Sequence, residues 1–398
     1  MTILADQWGI HPQQFWLRRR RAGQPVEPDE EQGLWNVYGY AETVQVLGDP
    51  ATFSSDVDRL FPVAQPESLK EGDLTQIDPP EHRKLRKLVS HAFTPKVVAD
   101  LEPRIAALTH ELLDAVAGRS QLELVADFAY PLPVTVIAEL LGVPSSDQHL
   151  FRQWVDQIIA GQSQFVDLAS GEEQGQDLSG QVEQALRPML DYFREHAAER
   201  RRRPREDLLT KLVQAEVDGE RLTDNQVVNF ANLLLTAGHI TTTMLLGNTV
   251  LCLDAHPDQA ARVRADRALV PTAIEESLRF FTPFALNARA TTAEVDLGGH
   301  RVPADRLLMI WLGAANRDER QFTHPDVFDP TRDPNPHLGF GRGIHFCLGA
   351  PLARLEGRVA LNILLDRFPV LRTDPDDPPA FIPSSHMTGV STLPLRTG

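Results

Sequence analysis

One long stretch, residues 223–254, restricts the folds open to this chain more than any other. It contains no proline, Thr223 can cap its first turn, and a helix of this length would run roughly 48 Å. Its middle, NLLLTAGHITTTMLLGN, is apolar on every side, which is typical of a helix buried in a core. We therefore expect a large, mainly α-helical body built around this helix.

Helical patterns also occupy most of the chain before Pro257. Asp78, two prolines and Glu81 supply a cap, a proline in the first turn and early negative charge, which predict the start of the helix EHRKLRKLVSHAF. Further along, ATTAEVDLGGHRVPADRLLMIWLG predicts strands joined by a Gly-Gly turn. The chain shows no internal repeat or clear linker, so we expect an α-dominated fold with a smaller β portion.

The segment between Pro50 and Asp78 contains several prolines and glycines and has little periodicity. Loops of this length are usually mobile or functional. We predict a long irregular loop here that could serve as a lid.

Composition argues against several functional classes. The 398 residues include 39 Lys and Arg against 55 Asp and Glu, and the resulting charge of -16 disfavours binding to nucleic acid or anionic lipid. Only two cysteines are present, which suggests no disulfide framework and favours a reducing compartment. The sequence has neither a signal-peptide pattern nor an apolar stretch long enough to span a bilayer. We expect a soluble cytoplasmic protein that binds no nucleic acid and no membrane.

The segment GFGRGIHFCLGAPLAR, residues 339–354, carries the strongest functional pattern. A glycine-rich loop delivers Cys347 to the start of an apolar helix. The helix dipole and exposed backbone N–H groups there would lower the pKa of a cysteine, and the glycines would let a flat ligand approach the backbone. An isolated cysteine in an apolar context is otherwise usually a buried structural residue.

This segment resembles the haem-binding signature of cytochrome P450s. The matching positions are Phe340, Gly341, Gly343, His345, Cys347, Gly349, Leu352, Ala353 and Arg354. The resemblance implies a cytochrome P450 fold, formed as a single domain over residues 1–398 with an α-rich lobe and a small β-rich lobe. It also implies haem b (iron protoporphyrin IX) with Cys347 as the axial iron ligand, Phe340 and Gly349 beside the cofactor, and His345 near the propionates.

Other motifs of the family occur in order along the chain. Glu276 and Arg279 match the E-x-x-R pair, lie on one helix face, and with Arg332 in FDPTR would form a structural triad. Without the cysteine segment, this pattern would be a common surface ion pair.

Three further basic residues match the family's propionate-binding positions. His82 and Arg86 are four residues apart on one helix, so both can point toward the same anionic group. The resemblance implies that this group is a haem propionate, and that Arg289 in NARATT binds a propionate as well. Such residues on a helix are otherwise usually solvated.

The stretch AGHITT stands where the family most often has Ala-Gly-x-acid-Thr. The resemblance implies that Ala237, Gly238 and Thr241 form the catalytic stretch, in which the Thr241 hydroxyl helps to deliver protons toward dioxygen. Ile240 replaces the usual acid and cannot relay a proton. The proton route must then use ordered water, a substrate hydroxyl or another side chain such as His239, and the sequence leaves these alternatives open.

Several segments, among them AGHITTTMLLGN and IDPPEHRKLRKLVSHAFTP, are similar to the macrolide-hydroxylating bacterial subgroup, of the erythromycin 12-hydroxylase type. This implies a haem-thiolate monooxygenase that hydroxylates or epoxidises a bulky natural product, such as a macrolide, another polyketide or a cyclic peptide, in antibiotic biosynthesis. The alternative is a non-catalytic haem-binding or docking module on a P450 scaffold, which only Ile240 suggests. Cys347 and Thr241 favour the enzyme.

By the family's layout, the substrate pocket would be largely apolar and would suit a bulky small molecule. The expected lining residues are Leu60, Phe61, Val63, Leu233, Phe284, Ala285, Leu286, Met387 and Thr388. Each of them could equally be an ordinary core residue.

The chain has no Walker loop and no Rossmann fingerprint, so electrons must come from separate proteins, which we expect to be a ferredoxin and its reductase. A set of cations could form a basic face that attracts such an acidic partner. These cations are Arg83, Lys84, Lys87, Arg354 and Arg358. Ordinary solvated charge is the alternative explanation.

Overall fold

The computed structural model describes residues 6–61, 70–147, 149–151, 153–154 and 175–397. The α-helices in these ranges are α1 (Tyr40–Gly48), α2 (Glu81–Ala92), α3 (Pro95–Ala99), α4 (Glu102–Ala115), α5 (Pro131–Leu140), α6 (Gly175–Arg202), α7 (Leu208–Gln214), α8 (Asp224–Ala255), α9 (Pro257–Ala265), α10 (Val270–Phe280), α11 (Leu312–Ala315) and α12 (Ala350–Arg367). Short 3-10 helices span Phe15–Arg18, Asp58–Leu60, Ser145–Asp147, Arg267–Leu269 and Gly343–His345, and a π-helical turn spans Val125–Ala129. Within the described ranges, no helix combines the length and apolarity needed to cross a membrane.

The strands are short. They are β1 (Val26–Asp29), β2 (Leu34–Val37), β3 (Phe53–Ser54), β4 (Gln121–Glu123), β5 (Glu216–Val217), β6 (Glu220–Arg221), β7 (Asn287–Thr291), β8 (Val295–Leu297), β9 (His300–Val302), β10 (Leu307–Ile310), β11 (Arg372–Thr373), β12 (Ala380–Phe381), β13 (Val390–Thr392) and β14 (Pro394–Arg396). The predicted fold class, mainly α with a smaller β portion, is confirmed.

Helix α8 forms the middle of the helical body, as its sequence predicts. A capping box begins it, because the Thr223 hydroxyl accepts from the backbone N–H of Gln226 while the Gln226 side chain accepts from the backbone N–H of Thr223. The helix packs against α5, α6, α10 and α12. Every residue from Thr242 to Leu253 is buried, so the helix needs neighbours on all sides.

The β portion forms a five-stranded sheet in the order β1-β2-β10-β7-β3, in which only β2 and β10 run parallel. The β8–β9 hairpin turns at Gly298 and Gly299, both of which have positive φ, as the Gly-Gly pair predicts. This sheet has its own apolar core, which includes Val26, Val37 and Ile310. Farther along, β14 returns to pair with β4, so the C-terminal segment packs back onto the helical body.

The start of α2 differs in detail from the prediction. Helix α2 begins at Glu81 after Pro80, and Asp78 does not cap it. The Asp78 carboxylate instead accepts from the Ser54 hydroxyl at 2.5 Å and from the backbone N–H of Ser55 at 2.9 Å. Asp78 therefore ties the loop after β3 to α2, a long-range contact that outcompetes local capping. The predicted lid around this loop includes residues 62–69, which lie outside the described residues.

Glu356, in the middle of α12, is a buried acid without an ion-pair partner. Its side chain is 1% exposed, and neither carboxyl oxygen has a hydrogen-bond partner among the described residues. Burial raises the pKa of Glu356 to about 8. The carboxyl group is therefore protonated in the folded protein over a pH range in which the unfolded chain has released that proton.

The difference between the folded-state and unfolded-state pKa of Glu356 predicts how the free energy of unfolding depends on pH. Because the folded-state pKa lies above the unfolded value, Glu356 destabilises the fold increasingly as pH rises from about 5 toward 8. We expect Glu356→Gln, which cannot ionise, to have a higher thermal unfolding midpoint than wild type at pH 8, with the difference shrinking toward about pH 5. Circular dichroism of the haem-loaded protein would measure this.

The matched control is Asp366→Asn, at a 74% exposed carboxylate in the same helix, which should show no such convergence. If the thermal unfolding midpoints of wild type and Glu356→Gln differ by the same amount at every pH, Glu356 is ionised and hydrated in the folded state.

Candidate active site

The loop before α12 presents the thiol of Cys347 to the N-terminus of that helix. The backbone N–H of Cys347 donates to the Phe340 carbonyl at 2.9 Å, which closes the loop. Burial raises the pKa of Cys347, and hydrogen bonds from the backbone N–H groups of Gly349 and Ala350 oppose this only in part. These two hydrogen bonds act in the predicted direction, but burial outweighs them. The two N–H groups are nevertheless placed to stabilise a thiolate once a metal ion displaces the proton.

Two glycines shape this loop by their backbone conformation. Gly341 and Gly343 have φ values of 69° and 71°, in the left-handed region that glycine adopts without strain. A Cβ atom on Gly343 would also overlap the carbonyl oxygen of Leu47, at the end of α1. The loop that carries Cys347 thus packs directly on α1 as well as leading into α12.

Four of the predicted cofactor-binding residues come together beside this loop. His82 is 1% exposed, its ring centroid is 4.3 Å from that of His345, and neither of its ring nitrogens has a hydrogen-bond partner among the described residues. His345 contacts the Ser55 hydroxyl at 2.8 Å. Arg289 is also buried, and it donates to the Ala288 carbonyl at 2.6 Å. Arg86 donates to the Phe346 carbonyl at 2.7 Å.

The charges in this cluster are unbalanced. Burial lowers the pKa of His345 to about 3 and that of Arg289 to about 10, and it also lowers the pKa of His82. Neighbouring basic groups lower the pKa values of the two histidines further, whereas Asp78 raises the pKa values of all three residues. The cluster therefore combines the guanidinium groups of Arg86 and Arg289 with a buried His82 ring that lacks hydrogen-bond partners among the described residues, and this chemistry fits the two carboxylates of a haem.

The structure places Ala237 and Thr241 on one face of α8, as predicted. Ala237 is exposed, Thr241 is half-buried, and the Thr241 hydroxyl donates to the Ala237 carbonyl at 2.7 Å. Gly238 points elsewhere, because a Cβ atom there would overlap the side chain of Ile137 in α5. Gly238 therefore allows two helices to pack closely, a structural role that its motif did not predict.

His239 and Ile240 do not join Thr241 on that face. His239 is fully buried, and its ring lies edge-on to that of Tyr130 at 4.3 Å between centroids. Two helix positions separate it from Thr241, which corresponds to roughly 200° around the axis. Ile240 is 8% exposed and packs in the core. Of the proton routes that the sequence leaves open, His239 is therefore the one that the geometry does not favour.

The E-x-x-R pair is fully buried and part of a network. Arg279 makes two hydrogen bonds to Glu276, at 2.7 and 2.8 Å, and its remaining donors reach backbone carbonyls that include that of Asn316. The Nε atom of Arg332 lies 3.1 Å from the Glu276 carboxylate. Such a satisfied buried network is costly to break, because removing one partner leaves a charge in the core.

Sequence reasoning missed the acid next to this pair. The Glu275 carboxylate accepts two hydrogen bonds from Arg354, both at 2.8 Å, and contacts His337 at 3.0 Å. Burial alone would raise the pKa of Glu275, but Arg354 and His337 lower it to about 2. The Arg354 guanidinium in turn lies 4.6 Å from the centre of the Phe340 ring. The sequence does contain a signal for this second ion pair. Glu275 and Glu276 are consecutive acids on a helix, so their side chains point in different directions and each can pair with a different neighbour.

Some expected pocket residues border open space. Phe61 and Phe284 expose 51% and 42% of their surface, which is unusual for rings of this size. Leu60, Leu233 and Met387 are partly buried, and Met387 forms an isolated β-bridge with Phe284.

Other expected pocket residues lie within the protein. Ala285 is fully buried and Leu286 is 8% exposed. Thr388 is 1% exposed, and its hydroxyl donates to the side chain of Gln14. Ala285 and Thr388 therefore lack the accessible surface that a lining residue needs, because both pack inside the protein. Val63 lies outside the described residues.

The cations expected to form a basic face are largely paired with acids. The pairs are Lys84 with Glu220, Lys87 with Asp218, Arg354 with Glu275 and Arg358 with Glu102, at 2.7–3.1 Å. The surface is therefore a mosaic of ion pairs and not a uniform patch of positive charge.

Comparisons with known proteins match this fold and site. The family described as Cytochrome P450 matches residues 30–397. The Cyclomarin C epoxidase of Salinispora arenicola is 47% identical over 354 residues, 89% of this chain and 88% of that protein. The Erythromycin C-12 hydroxylase of Saccharopolyspora erythraea is 44% identical over 385 residues, 96% of this chain and 94% of that protein.

Solved structures agree. HmtN, described as a post-tailoring hydroxylase involved in himastatin biosynthesis, is 61% identical with a TM-score of 0.88, and the match covers 100% of both chains. HmtT, involved in the same biosynthesis, is 61% identical with a TM-score of 0.90, and the match covers 99% of both chains. The family implies haem with cysteine-thiolate ligation, and the residues described above fit that group. This chain belongs to the cytochrome P450 family.

Proposed function

We propose that this P450 monooxygenase hydroxylates or epoxidises a bulky, mostly apolar natural product, such as a macrolide or a cyclic peptide, in antibiotic biosynthesis. The observation that carries the proposal is the half-buried Cys347 thiol facing two backbone N–H groups, close to the buried His82 ring, whose nitrogens have no hydrogen-bond partner among the described residues. The relatives named for cyclomarin, erythromycin and himastatin support the substrate class. The exposed rings of Phe61 and Phe284 also suit an apolar molecule.

In this proposal the chain binds haem b. Cys347 would supply the sulfur that binds the iron, Phe340 and Gly349 would lie beside the cofactor, and a basic cluster consisting of His82, Arg86, Arg289 and His345 would bind the propionates. Bound haem supplies the activation of dioxygen through its thiolate-ligated iron.

In this proposal, two residues of α8 act on proton delivery and on the room available for dioxygen. The Thr241 hydroxyl can hold a proton on the face that it shares with Ala237, and the small Ala237 side chain leaves room for dioxygen. Ile240 is buried and apolar, so the proton reaches Thr241 through ordered water or a hydroxyl of the substrate. The non-catalytic alternative loses its support, because relatives at this identity are named as hydroxylases and an epoxidase.

Electrons in this proposal come from a ferredoxin and its reductase in the cytoplasm. The ferredoxin would dock where α2 and α12 display their ion pairs. Exposed pairs of this kind contribute only about 0–1 kcal/mol each, so an acidic partner can displace the native carboxylates.

The first test is the carbon monoxide difference spectrum of the reduced protein. We expect the red-shifted Soret band of thiolate ligation in wild type and its loss in Cys347→Ser. Cys252→Ser is the matched control, because this buried thiol lies in α8 and burial raises its pKa. Absence of the band from intact wild-type protein would withdraw the proposed function.

A second test concerns proton delivery. With a substrate found by its shift of the haem spin state, Thr241→Ala should lower product formed per NADPH to on the order of a tenth of wild type and increase peroxide release. Thr242→Ala is the control, because its hydroxyl makes the same bond one turn back, to Gly238, but is buried. Thr241→Ser should restore coupling. Unchanged coupling in Thr241→Ala would remove the role of this hydroxyl.

A third test concerns the basic cluster. His82→Leu should speed the loss of haem to an acceptor globin by about tenfold or more, because it removes a buried donor to a charged group. His91→Leu, at an exposed histidine of the same helix, should lose haem at the wild-type rate. Equal rates in all three proteins would mean that His82 does not contact the cofactor.

A further inference from the structure

The turn formed by residues 382–389, here called the C-terminal turn, contains the half-buried Met387 and contacts α8 through Thr388 and Gly389. Backbone hydrogen bonds close it, with Ile382 donating to the Gly389 carbonyl at 2.9 Å. The Ser384 hydroxyl accepts from the backbone N–H of Met387 at 3.1 Å. The β-bridge between Met387 and Phe284 joins the turn to the other exposed part of the expected pocket.

The side chain of Gln14, near the other end of the sequence, holds this turn. Gln14 is 1% exposed and lies just before the 3-10 helix Phe15–Arg18. Its amide nitrogen donates to the carbonyls of Met387 at 2.7 Å and Ser384 at 2.8 Å, and its oxygen accepts from the Thr388 hydroxyl at 3.0 Å. The hydrogen-bonding capacity of this buried amide is thus used mainly on the C-terminal turn.

Helix α8 also contacts this turn. Asn248 is fully buried and donates to the Thr388 carbonyl at 2.8 Å. A Cβ atom on Gly389 would overlap Met244, so the turn rests directly on the helix. Asn248 follows Thr241 by seven residues, about two turns, and therefore lies on nearly the same side of α8. The position of the turn relative to Thr241 is fixed through these contacts.

We propose that Gln14 is a positioning residue for substrate selectivity, which fixes the place of Met387 in the pocket wall relative to Thr241. The inference rests on the proposed function, since it assumes that this space receives the substrate. Without the Gln14 amide, two buried carbonyls lose their donor while Asn248 still anchors Thr388, so the Met387 end of the turn shifts and the fold persists. The pocket then accepts a different shape of molecule.

The test uses two azole probes on the haem-loaded protein, because the substrate is not identified. Imidazole is small and reports only on access to the iron, whereas clotrimazole carries three aryl rings that must fit against the pocket wall. Gln14→Leu should weaken clotrimazole binding about tenfold and leave imidazole binding within about twofold of wild type, as measured by the shift of the Soret band.

Two further variants make the result specific. Gln13→Leu alters the exposed neighbouring side chain and should match wild type with both probes. Thr388→Val removes only the hydroxyl that reaches Gln14, and it should weaken clotrimazole binding in the same direction but by less.

Each other outcome overturns the inference. Equal clotrimazole affinity in Gln14→Leu and Gln13→Leu would show that Gln14 does not position the wall. A parallel loss of imidazole and clotrimazole affinity, or loss of the carbon monoxide band, would show a general role in folding. A wild-type protein that gives neither an azole shift nor a carbon monoxide band would overturn the proposed function and this inference together.

Discussion

The burial of α8 is the constraint on which the rest of the structure depends. A helix that is apolar around its whole circumference is stable in water only when other elements cover it, and α5, α6, α10 and α12 cover most of α8. That packing leaves few gaps, and the exposed Ala237 lies in one of them. Gly238 contributes by letting α5 approach closely on the adjacent side. Packing around α8 thus determines both where the protein is closed and where it can admit a small molecule.

The buried ionisable groups near the Cys347 loop are of two kinds: some are paired within the protein, and others are not. Glu275 and Glu276 each have arginine partners at ordinary hydrogen-bond distances, so that region is complete within the protein. In the cluster of His82 and Arg289, burial weakens the protonated forms, and Asp78, the carboxylate that opposes this, is already engaged by two serines. A bound anion would stabilise the protonated forms of these groups. This contrast separates structural ion pairs from a binding site more clearly than residue type does.

The features that sequence predicted well are those with local causes. The capping of α8 by Thr223, the Gly298–Gly299 turn and the delivery of Cys347 to a helix start all depend on residues a few positions apart. The features it missed depend on contacts across the chain. Asp78 looks like a cap but bonds to Ser54, and the pKa of Cys347 depends on how deeply the loop is buried. The local E-x-x-R spacing pairs Glu276 with Arg279, but no local pattern links Glu275 to Arg354, which lies 79 positions away.

The link between Gln14 and the C-terminal turn has a consequence for how the protein is made. The hydrogen bonds join residues 370 and more positions apart, so they cannot form until the C-terminal turn has been synthesised. Contacts of such long sequence separation also form late in folding, because closing a long loop is entropically costly before other contacts bring its ends together. The helical body around α8 can therefore assemble while the pocket wall is still missing. If Gln14 positions the pocket wall as proposed, the wall takes its final place after the helical body has formed.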